Sequence, residues 1–243
     1  PSVAPSKVAM DRKTAMARVV AQKAIQSAGI SPDALERDRL GVFWGSGMAG
    51  ASTFDQTCHA LYAEQRRIRP TSVVSTMPNA PVAEISLWAK ALRAGRLDVA
   101  IVGGSEAMLT PGVIAGWHAM RVLAPVAGDV SAVCKPFDVS RSGFALGEGA
   151  AAFILETQEH ARRRGAHVWA RLSGYGTSTD AVHITNPDPG GQVRAMRMAL
   201  QDAGLQPEDI GYINAHGTAT LAGDLAESDS IAQVFKSVAV PVS

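Results

Sequence analysis

One stretch of this chain occurs twice in altered form. Residues 24–35 read AIQSAGISPDAL and residues 199–210 read ALQDAGLQPEDI. Ala24/Ala199, Gln26/Gln201, Ala28/Ala203, Gly29/Gly204 and Pro32/Pro207 are identical, and Ile25/Leu200 and Asp33/Glu208 are conservative. Each copy ends a helical pattern on glycine, turns through proline and an acid, and enters an apolar strand. Each strand then meets a glycine, Gly45 in the first copy and Gly217 in the second. Helix, glycine, turn and strand in succession are common grammar. A match that carries on into the strand instead points to a duplicated α/β unit. The separation is too long for a solenoid, so two copies packed face to face are expected.

The rest of the chain alternates in the same way. LGVFW (40–44), DVAIVGG (98–104), GAAAFILE (149–156) and GYINA (211–215) read as buried strands. Met16, Val19 and Val20, then Phe54, Cys58 and Leu61, then Val193, Met196 and Leu200 recur at helical spacing, which places Cys58 in a core. Apolar strands between amphipathic helices define an α/β class with mainly parallel pairing. The boundaries read as one half over 1–157 and the beginning of a second over 166–243. The first residue is not Met, and the strand-like run 238–242 has nothing after it. The chain therefore reads as part of something longer.

Charge narrows the function classes. Lys and Arg number 23 against 22 Asp and Glu, which gives no reason to expect nucleic acid. No apolar run approaches the ~20 residues that span a bilayer, and the polar start is not a signal peptide. Two cysteines, Cys58 and Cys134, make no disulfide framework. The default setting is reducing and cytoplasmic.

GSGMAG (45–50) has the form G-x-G-x-x-G, but Glu64, at the distance where a dinucleotide site wants its acid, sits inside a helix. The loop reads as a tight glycine turn. No histidine has metal-ligand spacing. His216 differs from the other five. It follows a strand, where α/β sheets place their chemistry, and INAHGTAT (213–220) sets a glycine and two hydroxyls, Thr218 and Thr220, just after it.

At this point the residues carry a likeness. NAHGTAT followed by GDLAES resembles the histidine motif of the beta-ketoacyl-acyl-carrier-protein synthases, condensing enzymes of the thiolase superfamily. VGGSEAMLTPG (102–112), KPFDVSRSGFALGEGAAAFILE (135–156) and STDAVHITNPDP (178–189) resemble further segments of that family, in order. The resemblance implies a thiolase-like five-layer α-β-α-β-α fold with two duplicated halves, here incomplete. It implies that His216 binds the malonyl thioester carbonyl and stabilises the enolate formed on decarboxylation. Thr218 and Thr220 would contact the phosphopantetheine arm of the acyl carrier protein, and Thr185, with His183, would lie near the tunnel mouth. Asp224 and Glu227 match acidic positions behind the site, and Met48 would line the acyl pocket. No metal or nucleotide is implied. The family works as a homodimer in fatty-acid or polyketide synthesis.

The chain also departs from the family. A synthase needs a cysteine nucleophile at a helix start, where the dipole favours the thiolate. The interval STMPNAPVAEISLWAKALRAGRLDVAIVGG (75–104) contains none. Up to Trp88 it resembles the helix before the nucleophile strand, and from Ala89 the last turns of the nucleophile helix. The strand and elbow between them are missing, which leaves a parallel crossover without its middle element. Cys134, in a proline turn, is a poor substitute. Either this sequence omits a segment that the protein has, or the segment is deleted. As it stands the chain is expected to be inactive. A non-catalytic partner subunit like the chain-length factors, or a thiolase proper, are the alternatives. The intact HGTAT argues against the first of these, and HGTAT with GFALGEGA against the second.

Overall fold

A computed structural model describes residues 10–31, 39–89, 97–126, 128–183, 185–236 and 238–243. The chain separates into two compact units. Unit 1 comprises Pro1–Gly116 with Leu146–Trp169, and unit 2 comprises Trp117–Ala145 with Ala170–Ser243.

Unit 1 opens with α1 (Arg12–Ser27), whose first turn is capped by the Asp11 carboxylate accepting from the Lys13 N–H. Its buried residues Thr14, Ala17, Ala21 and Ile25 recur at helical spacing, and their small side chains let the helix lie close to a sheet. That sheet has three described strands in the order β1 (Leu40–Gly45), β2 (Val99–Glu106), β3 (Gly149–Glu156). β1 and β2 run parallel, and β3 is antiparallel to β2. Between β1 and β2 come α2 (Ala51–Tyr62), α3 (Ser72–Thr76) and α4 (Ala80–Ala89). The parallel pair thus forms without the missing strand, because these helices supply a crossover. α4 runs unbroken through the Trp88–Ala89 junction, and residues 90–96 lie outside the described set. Leu40, Val99 and Ile101 of one sheet face, with Ala17, Ala21 and Ile25 of α1 and Ile85 and Ala89 of α4, form the core.

Phe54 and Leu61 are exposed and Cys58 is only half-buried. The apolar stripe expected to bury Cys58 therefore faces outward, and of α2 only Ala51 is buried. After β3, α6 (Gln158–Arg163) is capped by Thr157. Glu156 at the end of β3 accepts from Arg164 and His160, and these hydrogen bonds, Arg164 first, hold its carboxyl below the usual carboxylate range. In the 111–119 stretch lies a further helix, α5 (Pro111–Ala119).

Unit 2 is built on α7 (Pro189–Ala203) and α8 (Leu221–Phe235), which pack through Val193, Val234 and Phe235. The duplication is visible in how helices end. Gly29 donates to Gln26 and Ile30 to Ile25, and at the equivalent places Gly204 donates to Gln201 and Leu205 to Leu200. Both glycines are left-handed, at φ 65° and 67°. Pro32 and Asp33, in the turn of the first copy, lie outside the described residues. In the second copy Pro207–Asp209 forms a single 3-10 turn.

The strands that follow differ. GYINA makes only one parallel bridge, Ile213 to Val242. Its backbone bonds run to Pro241 and Ser243, and Tyr212 and Asn214 are exposed. The expectation of a buried strand here is corrected: among the described residues only the 238–243 segment pairs with it. Among these residues no helix is long and apolar enough to cross a membrane, and no group of three or more His, Cys, Asp or Glu is placed to hold a metal.

Candidate active site around His216

The loop 216–220 lies between the extended GYINA segment and α8, and α8 supplies the groups that shape it. Glu227 reaches back two turns and accepts from two successive N–H groups, that of His216 at 2.7 Å and that of Gly217 at 2.9 Å. Asp224, in the first turn of α8 and fully buried, accepts from the N–H of Ala219 at 2.9 Å and from that of Phe137 at 2.7 Å. Ala219 and Phe137 both have left-handed backbones, at φ 61°. Such a conformation costs a non-glycine residue about 1 kcal/mol or more. Here one carboxylate holds both strained residues.

Thr218 and Thr220 point the same way, as their spacing predicts, with their hydroxyls 2.9 Å apart. Both are also used locally. Thr220 is the N-cap of α8 and accepts from the Gly223 N–H, while the Thr218 hydroxyl lies 3.4 Å from Asp224 Oδ1. A hydroxyl can donate once and accept twice, so Thr220 keeps one accepting site for a ligand, whereas Thr218, which also accepts from the Thr220 N–H, must release a local bond to meet one.

The PFDVSRSGF segment meets this loop from the other side. Arg141 donates to the carbonyls of Asp138, Thr220 and Leu221, and its Nε is 3.8 Å from Asp224 Oδ2. Gly143 donates to the Ala219 carbonyl at 2.9 Å. Its φ of 137° is open only to glycine, and a Cβ there would stand 2.4 Å from the Val122 carbonyl oxygen. Sequence reading assigned Arg141 no role. The signal was present in the quoted P-F-D…R-x-G-F motif, but the partners are carbonyls some 80 positions away, which no local pattern shows.

These elements surround an open pocket of about 940 Å³. His216, Thr218, Thr220, Thr185, His183 and Glu227 all line it, with Asn186 and Asn214 between them. Every residue lining it belongs to unit 2. The N–H groups of Thr185 and Asn186 donate to His183 Nδ1 at 3.1 Å, so that ring presents its proton on Nε2. Trp117 and Phe144 meet edge to face at 5.4 Å on the wall. The His216 side chain is exposed while its backbone is clamped, which suits an imidazole that must meet a ligand oxygen. Asp224 stands behind the loop and does not line the pocket. Met48 belongs to unit 1, where Glu106 accepts its N–H.

Comparison with known proteins agrees with this architecture. The model of the beta-ketoacyl synthase C-terminal domain matches residues 169–243. The model of the N-terminal domain matches residues 2–91 and again 82–161. The chain belongs to the beta-ketoacyl synthase family, and its fold is the thiolase-like α/β fold with two related halves. It is 37% identical over 253 aligned residues to 3-oxoacyl-[acyl-carrier-protein] synthase 2 of Staphylococcus aureus, covering 93% of this chain and 62% of that protein. Nodulation protein E of Rhizobium leguminosarum bv. trifolii is likewise 37% identical over 253 residues, covering 94% of this chain and 62% of that protein.

Among solved structures, a type II polyketide ketosynthase in complex with its acyl-carrier protein superimposes with a TM-score of 0.90 at 27% identity, over 96% of this chain and 65% of that one. A beta-ketoacyl synthase from Burkholderia phymatum gives 0.87 at 28% identity, over 100% and 67%. The ishigamide ketosynthase/chain length factor gives 0.85 at 28% identity, over 99% and 66%. The chain spans about three fifths of the length of the curated relatives it matches.

Proposed function

We propose that the protein is a condensing acyltransferase, joining an acyl thioester to malonyl-acyl-carrier protein in fatty-acid or polyketide synthesis. The observation that carries this is His216: an exposed imidazole on a clamped backbone, in a pocket it shares with Thr185, Thr218 and Thr220. His216 donates to the malonyl thioester carbonyl. As the carboxylate carbon leaves as carbon dioxide, the bonding pair moves onto that carbonyl oxygen, and a donor fixed in place stabilises the charge as it develops. The resulting carbon nucleophile attacks the acyl carbonyl and releases the thiolate that held it.

Thr218 and Thr220 hold the amide-bearing phosphopantetheine arm, which arrives on the carrier protein, and Thr185 contacts it near the mouth. Asp224 and Glu227 fix the loop. The reading asks for no metal or nucleotide. It treats 1–157 as the N-terminal thiolase-like half and 166–243 as the beginning of the C-terminal half of one subunit of a cytoplasmic homodimer, where a reducing setting keeps a nucleophilic cysteine as thiol. That cysteine is not in this chain's 75–104 interval, so acyl transfer to the enzyme needs the segment its relatives carry.

The missing cysteine favours a second reading, a non-catalytic partner subunit, and the similarity to a structure titled ketosynthase/chain length factor fits it. One chimera separates the two. In the S. aureus synthase, the stretch matching residues 169–243 is replaced by this chain's own. A condensing parent predicts that carbon dioxide release from malonyl-acyl-carrier protein survives, and that His216→Ala lowers it roughly 10²–10³-fold. A chimera that is folded but inert, or one indifferent to His216→Ala, favours the partner subunit.

A further inference from the structure

Unit 1 buries a lysine that the reaction proposed above does not use. Lys13 is fully buried in the first turn of α1, and no acidic residue lies in that turn. The position is adverse twice over. A helix start carries partial positive charge, and an ammonium leaves water only where something replaces its hydration. The neighbouring Arg12 meets its counter-ion at the surface, pairing with Glu148 at 2.9 Å. Lys13 is answered inside.

Several segments supply the answer. Lys13 Nζ donates to the carbonyl of Met77 at 3.2 Å and lies 3.5 Å from that of Pro78, in the turn between α3 and α4. The carboxylate of Asp11, 1% exposed, caps α1 and also accepts from the Thr53 N–H at 2.9 Å, which ties in the start of α2. Glu106, at the end of β2, holds the GSGMAG loop with Oε2, and its buried Oε1 has no hydrogen-bond partner. Burial pushes the Lys13 ammonium down from its ordinary pKa, and the attraction of Asp11 and Glu106 works against that shift. Two of these segments also touch without Lys13. Gly50 donates to the Thr76 carbonyl at 3.0 Å, and a Cβ on Gly50 would stand 2.5 Å from Thr76 Cα.

Such a surround has the chemistry of a cation site. Its donors are oxygen atoms, two of them backbone carbonyls, a set that suits a hard ion. Potassium in particular is bound by backbone carbonyls in place of its water. Asp11 already accepts N–H groups with both oxygens and Glu106 with one, so little negative charge is left over. That balance fits one positive charge better than the two of calcium or magnesium.

We infer that the Met77 and Pro78 carbonyls, with the Asp11 and Glu106 carboxylates beside them, form a site for a monovalent cation that Lys13 fills with its own ammonium. An ion carried on the chain cannot be lost to dilution. The starts of α1 and α2, the 76–79 turn and the GSGMAG loop therefore keep one arrangement whatever salt surrounds the protein. Lys13 is a positioning residue for the open cleft of about 570 Å³ that Ser46, Gly47 and Glu106 help to line. The inference stands apart from the reaction proposed above, and its test reads local order alone.

Lys13→Ala removes the equivalent of n-propylammonium and leaves its room. Amide exchange at Gly50 and Thr53 is followed in the intact chain, in potassium, n-propylammonium or tetramethylammonium chloride at one ionic strength. In the native protein the three salts give the same rates. In Lys13→Ala exchange quickens by about tenfold or more in tetramethylammonium, and potassium or n-propylammonium slows it again by about tenfold, saturably. Ala219 in unit 2 is the control and does not respond. Lys13→Met fills the room but drops the charge, so it exchanges faster than the native protein and alike in all three salts. Equal rates for Lys13→Ala in the three salts overturn the inference. So does a Lys13→Ala chain that folds in none of them, since an emptied site takes up a free ion if it is a cation site. A native protein that potassium protects further, or a Lys13→Met protein as well protected as the native one, overturns it too: in the first case Lys13 does not fill the site, and in the second packing rather than charge holds it.

Discussion

Two loops of this protein are built on one plan and finished to different degrees. In unit 1 the GSGMAG loop leaves β1, and in unit 2 the HGTAT loop leaves the extended GYINA segment. Both are held by carboxylates that collect backbone N–H groups. In unit 1 a single carboxylate, Glu106 of the neighbouring strand, takes the N–H groups of Gly47 and Met48 on Oε2 and leaves Oε1 buried and idle. In unit 2 two carboxylates of the following helix use all four oxygens, on His216, Gly217, Ala219 and Phe137. The second loop is complete within its own unit. The first has an oxygen waiting for a donor. The His216 loop is therefore closed by carboxylates of its own unit on every oxygen, whereas the unit 1 loop uses one carboxylate oxygen and leaves the other without a hydrogen bond among the described residues.

The sharpest way to break this comparison is to remove the carboxylate that does most. Asp224→Ala leaves a buried and a part-buried N–H group on left-handed residues, those of Ala219 and Phe137, and the Arg141 guanidinium, without their anion. Breaking a buried charged partner set in this way costs about 3–5 kcal/mol. Urea unfolding of unit 2, followed through Trp117, measures the loss. A loss under about 1 kcal/mol would show that Arg141 and Gly143 hold the loop without Asp224.

Glu227→Gln comes next. An amide offers one accepting oxygen where the carboxylate offered two, so either the His216 or the Gly217 N–H goes unpaired. The expected cost is about 1.5–3 kcal/mol, the range for hydrogen bonds to charged groups. Amide exchange at His216 and Gly217 should quicken more than at Ala219, which Asp224 holds separately. Equal quickening at all three would mean that the two carboxylates act as one unit.

How far these loops were legible in the sequence follows from the range of their bonds. The two matching helix ends were readable, because Gly29 and Gly204 bond to carbonyls three residues back. Asp224 and Glu227 entered only through the family likeness, since acids near the start of a helix, Asp224 in its first turn, have an ordinary explanation in the helix dipole. Glu106 passed unnoticed because its partners lie 58 and 59 positions away. The outward turn of Phe54 and Leu61 was missed for a related reason: helical spacing shows that a helix has an apolar side, but not whether anything covers it.

pH gives a smaller test within unit 1. The Glu156 carboxyl in unit 1 is held below its ordinary value by Arg164 and His160. Above the ordinary carboxylate range the unfolded chain is ionised too, and the stabilisation is fully present. As pH falls below that range the unfolded chain takes up the proton first, so unit 1 loses stability until the folded carboxyl is protonated as well. Unfolding midpoints from pH 6 down to pH 3 should fall in the native protein, and Glu156→Gln should flatten the part of the slope that belongs to unit 1. An unchanged slope would remove Glu156 from the account.

The smallest effect tests the idle oxygen itself. Glu106→Gln keeps an accepting oxygen for Gly47 and Met48 and puts the amide NH2 where Oε1 stands without a partner. Charge-assisted bonds become neutral ones, but no bonded group is stranded. The cost should stay below about 1 kcal/mol, less than for Glu227→Gln. Urea unfolding followed on the native protein and on Glu106→Gln measures it. A loss larger than that of Glu227→Gln would mean that the Glu106 charge, which also attracts the buried Lys13, does more than hold the Gly47 and Met48 N–H groups.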